Sequence, residues 1–123
     1  MTRCTDCVDL HVACPQQEIQ PMLGFVFYQH GLQVQWHSPV EGIAYQGTRG
    51  KCFIFGSIAQ YHEIFFQLFP MPDKSYIVRL IKSFRGYHRH MEHIFIEKKF
   101  VEVVNMLSYY FTSMGWFQNI VYY

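Results

Sequence analysis

The run KKFVEVVNMLSYYFTSMG, residues 98–115, constrains the fold most, because it has one good reading. Phe100, Val101, Val104, Leu107 and Phe111 recur at helical spacing, and Gly115 suits the position just past a helix end. The next eight residues, WFQNIVYY, are aromatic and β-branched and predict a strand. A helix that delivers its chain directly into a strand excludes an all-α or all-β architecture.

Upstream, Leu32, Val34 and Trp36 alternate with Gln33, Gln35 and His37, the period of a half-buried strand. Residues 23–36 as a whole predict a hairpin of two short strands around Gln29-His30-Gly31. HSPVEG then predicts a turn, IAYQ a brief strand, GTRG another turn and KCFIF an apolar strand. The stretch 57–70, SIAQYHEIFFQLFP, predicts a helix: Ser57 and Gln60 form a capping box, and Ile58, Tyr61, Ile64, Phe65 and Leu68 recur at helical spacing before Pro70. Residues 73–86, DKSYIVRLIKSFRG, carry both patterns. Asp73 as cap and Gly86 as stop favour a helix, whereas YIVRLI is also rich in β-formers; the expectation is helix. HMEHIFIE, residues 90–97, predicts a strand. The fold class expected is α+β, one domain with two or three helices packed on a mostly antiparallel sheet. Residues 1–22 contain Cys, Pro and Gln without periodicity and are expected to form a Cys-containing amino-terminal segment preceding an α+β domain over 23–123.

The 123 residues suit one domain able to bury a core without disulfides. Twelve Phe and nine Tyr fit either a dense core or an adhesive surface. The amino terminus has acids and no apolar run, unlike a secretory signal, and no segment approaches the roughly 18 apolar residues of a spanning helix. The expectation is a cytoplasmic or nuclear protein that is neither secreted nor inserted in a membrane. Its cysteines would then be reduced.

Four potential zinc ligands, Cys4, Cys7, His11 and Cys14, fall within eleven residues. Cys-x2-Cys can aim two sulfurs at one ion from a tight turn, so zinc is a candidate cofactor. His88, His90 and His93 form a second imidazole group. RGKCFIF, residues 49–55, resembles in part the RNA-recognition-motif signature: Arg49, Gly50, Phe53 and Ile54 match, while Lys51 and Cys52 depart from it, so the chain is not assigned to that family.

Formal charge is +1 overall but uneven, with −3 over residues 1–48 and +4 from Arg49 on. Lys74, Arg79, Lys82, Arg85 and Arg89 occur without an intervening acid and are interleaved with Tyr76, Phe84 and Tyr87. Cations neutralise phosphates while rings stack on unpaired bases. The leading expectation is therefore a small regulatory or accessory protein that binds nucleic acid, RNA or single strands foremost, through Lys74, Arg79, Lys82, Arg85, Tyr87 and Arg89. The alternative is a protein-interaction adaptor, of viral accessory type, that uses exposed aromatics and dimerises. A zinc-dependent enzyme ranks third, since no Ser elbow, phosphate loop or paired-carboxylate motif is present.

Overall fold

The computed structural model describes residues 7–46, 61–85 and 90–123. The first strand, β1 (Cys7–Val12), leads into helix α1 (Gln16–Gln29). Four strands follow: β2 (Gln33–Ser38), β3 (Glu41–Gln46), β4 (Tyr61–Pro70) and β5 (Tyr76–Arg85). Helix α2 (His90–Ser113) and strand β6 (Phe117–Tyr122) complete the chain. The strands make one six-stranded sheet in the order β2-β3-β4-β5-β1-β6, and every pairing is antiparallel. The class is α+β as expected, with two helices among the described residues.

Side chains alternate across each strand, and that alternation divides the sheet into two faces. One carries Val8, Leu10 and Val12 of β1, Ala44 of β3, Ile64, Phe66 and Leu68 of β4, and Val78 and Leu80 of β5, all buried. Both helices pack here. Ile19, Leu23, Val26 and Phe27 of α1 and Phe100, Val103, Val104, Leu107 and Phe111 of α2 complete one core cluster. Phe66 lies at its centre, stacked on Phe27 with ring centroids 5.4 Å apart and meeting the Trp36 ring edge-on at 4.8 Å. Gly42, opposite Phe66, makes that packing possible: a Cβ there would stand 2.8 Å from Phe66 Cζ and 2.5 Å from the Gln35 carbonyl oxygen.

Several expected elements change type. Residues 16–29 form a helix where a loop and a strand were expected, and the boundary expected at residue 22 falls inside it. Ile19, Leu23, Val26 and Phe27, at i, i+4, i+7 and i+8, carry the helical period; Pro21 sits in the second turn, where it removes one backbone bond without ending the helix. The helix expected over 57–70 is, from Tyr61 onward, β4, and that expected over 73–86 is β5. Their helical spacings coexist with a strict alternation, Ile64-Phe66-Leu68 and Val78-Leu80, which a ten-residue pairing between the two strands and a six-residue pairing on the other side of each reward. Residues 90–97, expected to be a strand, begin α2 instead. The β2 strand, the brief β3, the helix over 98–113 and the terminal strand agree with expectation. KCFIF lies outside the described residues.

Candidate functional site: the outer helix surface and the open sheet face

Helix α2 turns Phe100, Val104, Leu107 and Phe111 inward, which places Glu102, Asn105 and Tyr109 on its outer side. Phe25 and Tyr28, one turn apart on α1, also face outward and are 48% and 76% exposed. The rings form a continuous line across the two helices: Tyr109 meets Tyr110 edge-on at 5.5 Å, and Tyr110 meets Phe25 edge-on at 5.6 Å. Beside this line is an open cleft of about 550 Å³, lined by His30, Glu102, Asn105, Met106, Tyr109 and Tyr110. The end of α1 that forms one wall is fixed in place. Lys99 of α2 donates from Nζ to the His30 carbonyl at 2.8 Å, and His30 Nδ1 lies 3.0 Å from the Val26 carbonyl oxygen. Glu102 supplies the carboxylate of the lining.

Neither helix of the described residues packs on the other face of the sheet. Cross-strand register builds its surface in rows. Ile43, Phe65, Ile81 and Cys7 form one row across β3, β4, β5 and β1. Gln67, Arg79, Asp9 and Val121 form the next, and Phe69, Ile77, His11 and Asn119 the one beyond. In the middle row, Arg79 grips Asp9 with both prongs of its fork: Nε donates to Oδ1 at 2.8 Å and a terminal nitrogen to Oδ2 at 2.9 Å. The Tyr123 hydroxyl adds a third bond to Oδ2 at 2.8 Å. The guanidinium lies 5.0 Å from the Phe69 ring centroid and 5.8 Å from that of Tyr123.

Asp9 is 1% exposed. Burial by itself would push its carboxyl up, but the bonds from Arg79 and Tyr123 and the charges of Arg79 and His11 outweigh that and hold it below the usual carboxylate range. The same bond from Asp9 raises Arg79 further above its ordinary value. Asp9 also raises the Tyr123 hydroxyl by accepting its proton in a hydrogen bond. The network is thus a closed salt bridge with a tyrosine as third member, and Arg79's charge is met inside the protein.

The residues expected to bind nucleic acid occupy separate places. Arg79 is on the open face in that ion pair. Lys82 follows Leu80 on the helix-bearing side, with its ammonium 5.5 Å from the centroid of the Phe100 ring. Lys74 is in the turn between β4 and β5, with a left-handed φ of 70°. Arg85 ends β5 opposite Tyr61. Tyr87 and Arg89 lie outside the described residues. The sixteen-residue cation run reads as one surface on a helix, but on a strand its odd and even positions go to opposite faces.

The expected zinc ligands are also spread out. Residues 7–12 are extended rather than turned, so the Cys7 and His11 positions are roughly 13 Å apart along β1. Cys14 lies in the core, 1% exposed, where burial and the charge of Glu18 push its thiol up to about 11. A protonated buried thiol is a poor metal ligand. Cys4 lies outside the described residues, among which no three His, Cys, Asp or Glu side chains are grouped to hold a metal.

Sequence reasoning missed Asp9, Glu102 and Tyr123, and with them the surface role of Phe25 and Tyr28. Asp9 had a signal, a lone acid between Val8 and Leu10 at strand spacing. Phe25 and Tyr28 become a pair only once α1 is known to be a helix.

Fold and surfaces together define a small α+β domain with a ring-lined cleft on its helical layer and a half-apolar open sheet face. Comparison with protein-family models, with curated proteins and with solved structures gave no match. No helix among the described residues is long and apolar enough to cross a membrane.

Proposed function

We propose that this protein is an interaction adaptor that seats an amphipathic, basic segment of another protein in the open cleft along α2 that reaches His30, just past the end of α1. The observation that carries the reading is the line of exposed rings, Tyr109, Tyr110 and Phe25, beside a cleft whose carboxylate is Glu102. Tyrosines bring large contact area at little conformational cost and are frequent binding hot spots. Ring faces are electronegative, so together with Glu102 they favour a partner side chain that carries a cation on an apolar stem. A helix presenting aliphatic residues and Arg or Lys on one face has that chemistry, and an apolar cleft beside exposed rings is a common seat for it. Glu102 disfavours a phosphate backbone at the same place.

The test is selection of displayed helical peptides against the whole chain, followed by measured affinities for the enriched sequences. Enrichment of basic–aliphatic helices that Tyr109→Ala and Glu102→Lys weaken supports the reading. Enrichment of acidic peptides, or binding indifferent to both substitutions, contradicts it. So would tight, steeply salt-dependent binding of single-stranded RNA with no peptide enriched, since counterion release marks a polyanion site.

A further inference from the structure

Tyr109 and Tyr110 form a corner of the cleft. Their rings stand at 72° to one another with centroids 5.5 Å apart, so two ring planes bound one space. Phe25 of α1 meets Tyr110 edge-on, at 77°, and braces that wall. Glu102, Met106 and Tyr109, at i, i+4 and i+7, follow one stripe of α2 through the lining. Two helical turns separate the Glu102 and Tyr109 backbones by about 10 Å. Helical side chains lean towards the amino terminus, so the Tyr109 ring covers part of that span. What remains suits one ammonium, which sits about 3 Å from a carboxylate oxygen and within about 6 Å of a ring centroid.

Among the described residues Glu102 has no ion-pair or hydrogen-bond partner. Lys99, one turn before it, donates to the His30 carbonyl. The Val26 carbonyl beside His30 Nδ1 can only accept, so the neutral imidazole carries its proton on Nδ1 and keeps Nε2 as an acceptor. The described lining thus offers an unpaired carboxylate, two π-faces, the Met106 thioether and an imidazole acceptor, and it contains no lysine or arginine. Every one of these groups favours a cation, and the rings favour one with an apolar surface.

We infer that the corner made by Tyr109, Tyr110 and Glu102 takes the dimethylated ammonium of a lysine in the docked segment. The inference rests on the adaptor reading and specifies the side chain at its centre. Methylation keeps the charge of a lysine and gives its head an apolar surface, which ring faces accept. Two methyl groups match the two rings, and the one remaining N–H matches the unpaired Glu102 carboxylate. A trimethylated head keeps the ring contacts but has no proton to give Glu102. An unmodified head has three strongly hydrated N–H groups, and one carboxylate replaces only part of that hydration. Two rings and one acid therefore select the dimethyl state.

Calorimetric titration of the full chain tests this with one basic–aliphatic helical peptide, its central lysine unmodified, dimethylated or trimethylated. The dimethylated peptide should bind roughly tenfold more tightly than the unmodified one, and more tightly than the trimethylated one. Tyr109→Leu should abolish the advantage of methylation and Tyr109→Phe should keep it. Glu102→Gln should erase the preference for two methyl groups over three. The thermal midpoints of these variants, at exposed positions, should match that of the wild type, which separates lost recognition from lost fold. A second arm titrates N-acetyl-dimethyllysine amide alone and follows backbone amides by NMR; resonances of residues 102–110 should shift. Equal affinity for the three peptides overturns the inference and leaves the adaptor reading standing. No binding of any peptide, with the small probe still shifting residues 102–110, supports the dimethylammonium site and contradicts the adaptor reading. A small probe that shifts none of those residues overturns the inference.

Discussion

Replacing Arg79 by methionine removes a charge from the middle of the open face while keeping most of the apolar stem. Asp9 would then be a buried carboxylate with Tyr123 as its remaining hydrogen-bond donor of the two. Breaking a buried pair on one side costs about 3–5 kcal/mol, because the surviving charge is uncompensated. The Arg79 side chain is 35% exposed, so water reaches the vacated place and the lower end, about 3 kcal/mol at pH 7, is expected. The pH dependence sharpens the test. In the wild type the Asp9 carboxyl is depressed, so its contribution is present above the unfolded value of about 3.9 and is lost as pH falls through the lower folded value. In the variant the guanidinium is gone, burial dominates, and the carboxyl titrates above the unfolded value. Acidifying from pH 7 to about 4.5 then lets Asp9 take a proton while still folded, and the variant recovers part of its deficit. Adding Asp9→Asn to Arg79→Met should also recover stability, since it removes the stranded charge. Urea unfolding of the wild type, the single variant and the double variant at the two pH values measures all of this. A penalty below about 1 kcal/mol, or one unchanged between the two pH values, would refute the claim that Arg79's charge is held internally. It would also return Arg79 to the set of cations free to meet a polyanion.

Three further outcomes follow from the packing and the surfaces. Gly42→Ala should destabilise the fold by about 1–3 kcal/mol in a thermal or urea melt, since the new methyl meets the Gln35 backbone as well as the Phe66 ring. Brief alkylation of the native protein near pH 8 should modify Cys7 well before Cys14, whose thiol is buried and pushed up to about 11; peptide mass mapping reads the order. Tyr109→Ala should change stability by less than about 0.5 kcal/mol, because the ring is 66% exposed, yet weaken a peptide bound in the cleft by roughly thirtyfold if it is a hot spot.

The carboxy-terminal third of the fold was legible from sequence where one period dominated. From Lys98 the helical stripe has no competing alternation, and WFQNIVYY has no competing helical period. Residues 61–70 and 76–85 were misread because Phe and Ile at every second and every third or fourth position satisfy both periods at once. What decides between them is non-local: β4 pairs along its length with β5 and also with β3, and a local pattern contains neither partner. Helix α1 was hidden for the opposite reason. Pro15 and Pro21 and the run FVFY argue locally against a helix, and the core contacts of Ile19, Leu23, Val26 and Phe27 override them. The placement of the candidate residues turns on the same ambiguity. A cation run that lies on one side of a helix divides between two faces of a strand, whereas Phe25 and Tyr28 align only on a helix.

In the proposed function, the cleft along α2 that reaches His30 is where a partner docks. The most direct measurement is an amide-resolved NMR titration of the whole chain with a basic–aliphatic helical peptide and, separately, with a single-stranded oligonucleotide. The account predicts that the peptide shifts resonances of residues 25–30 and 101–110, and that the oligonucleotide leaves those residues unmoved. Shifts centred on residues 74–85 with the oligonucleotide, and none along α1 and α2 with the peptide, would contradict it.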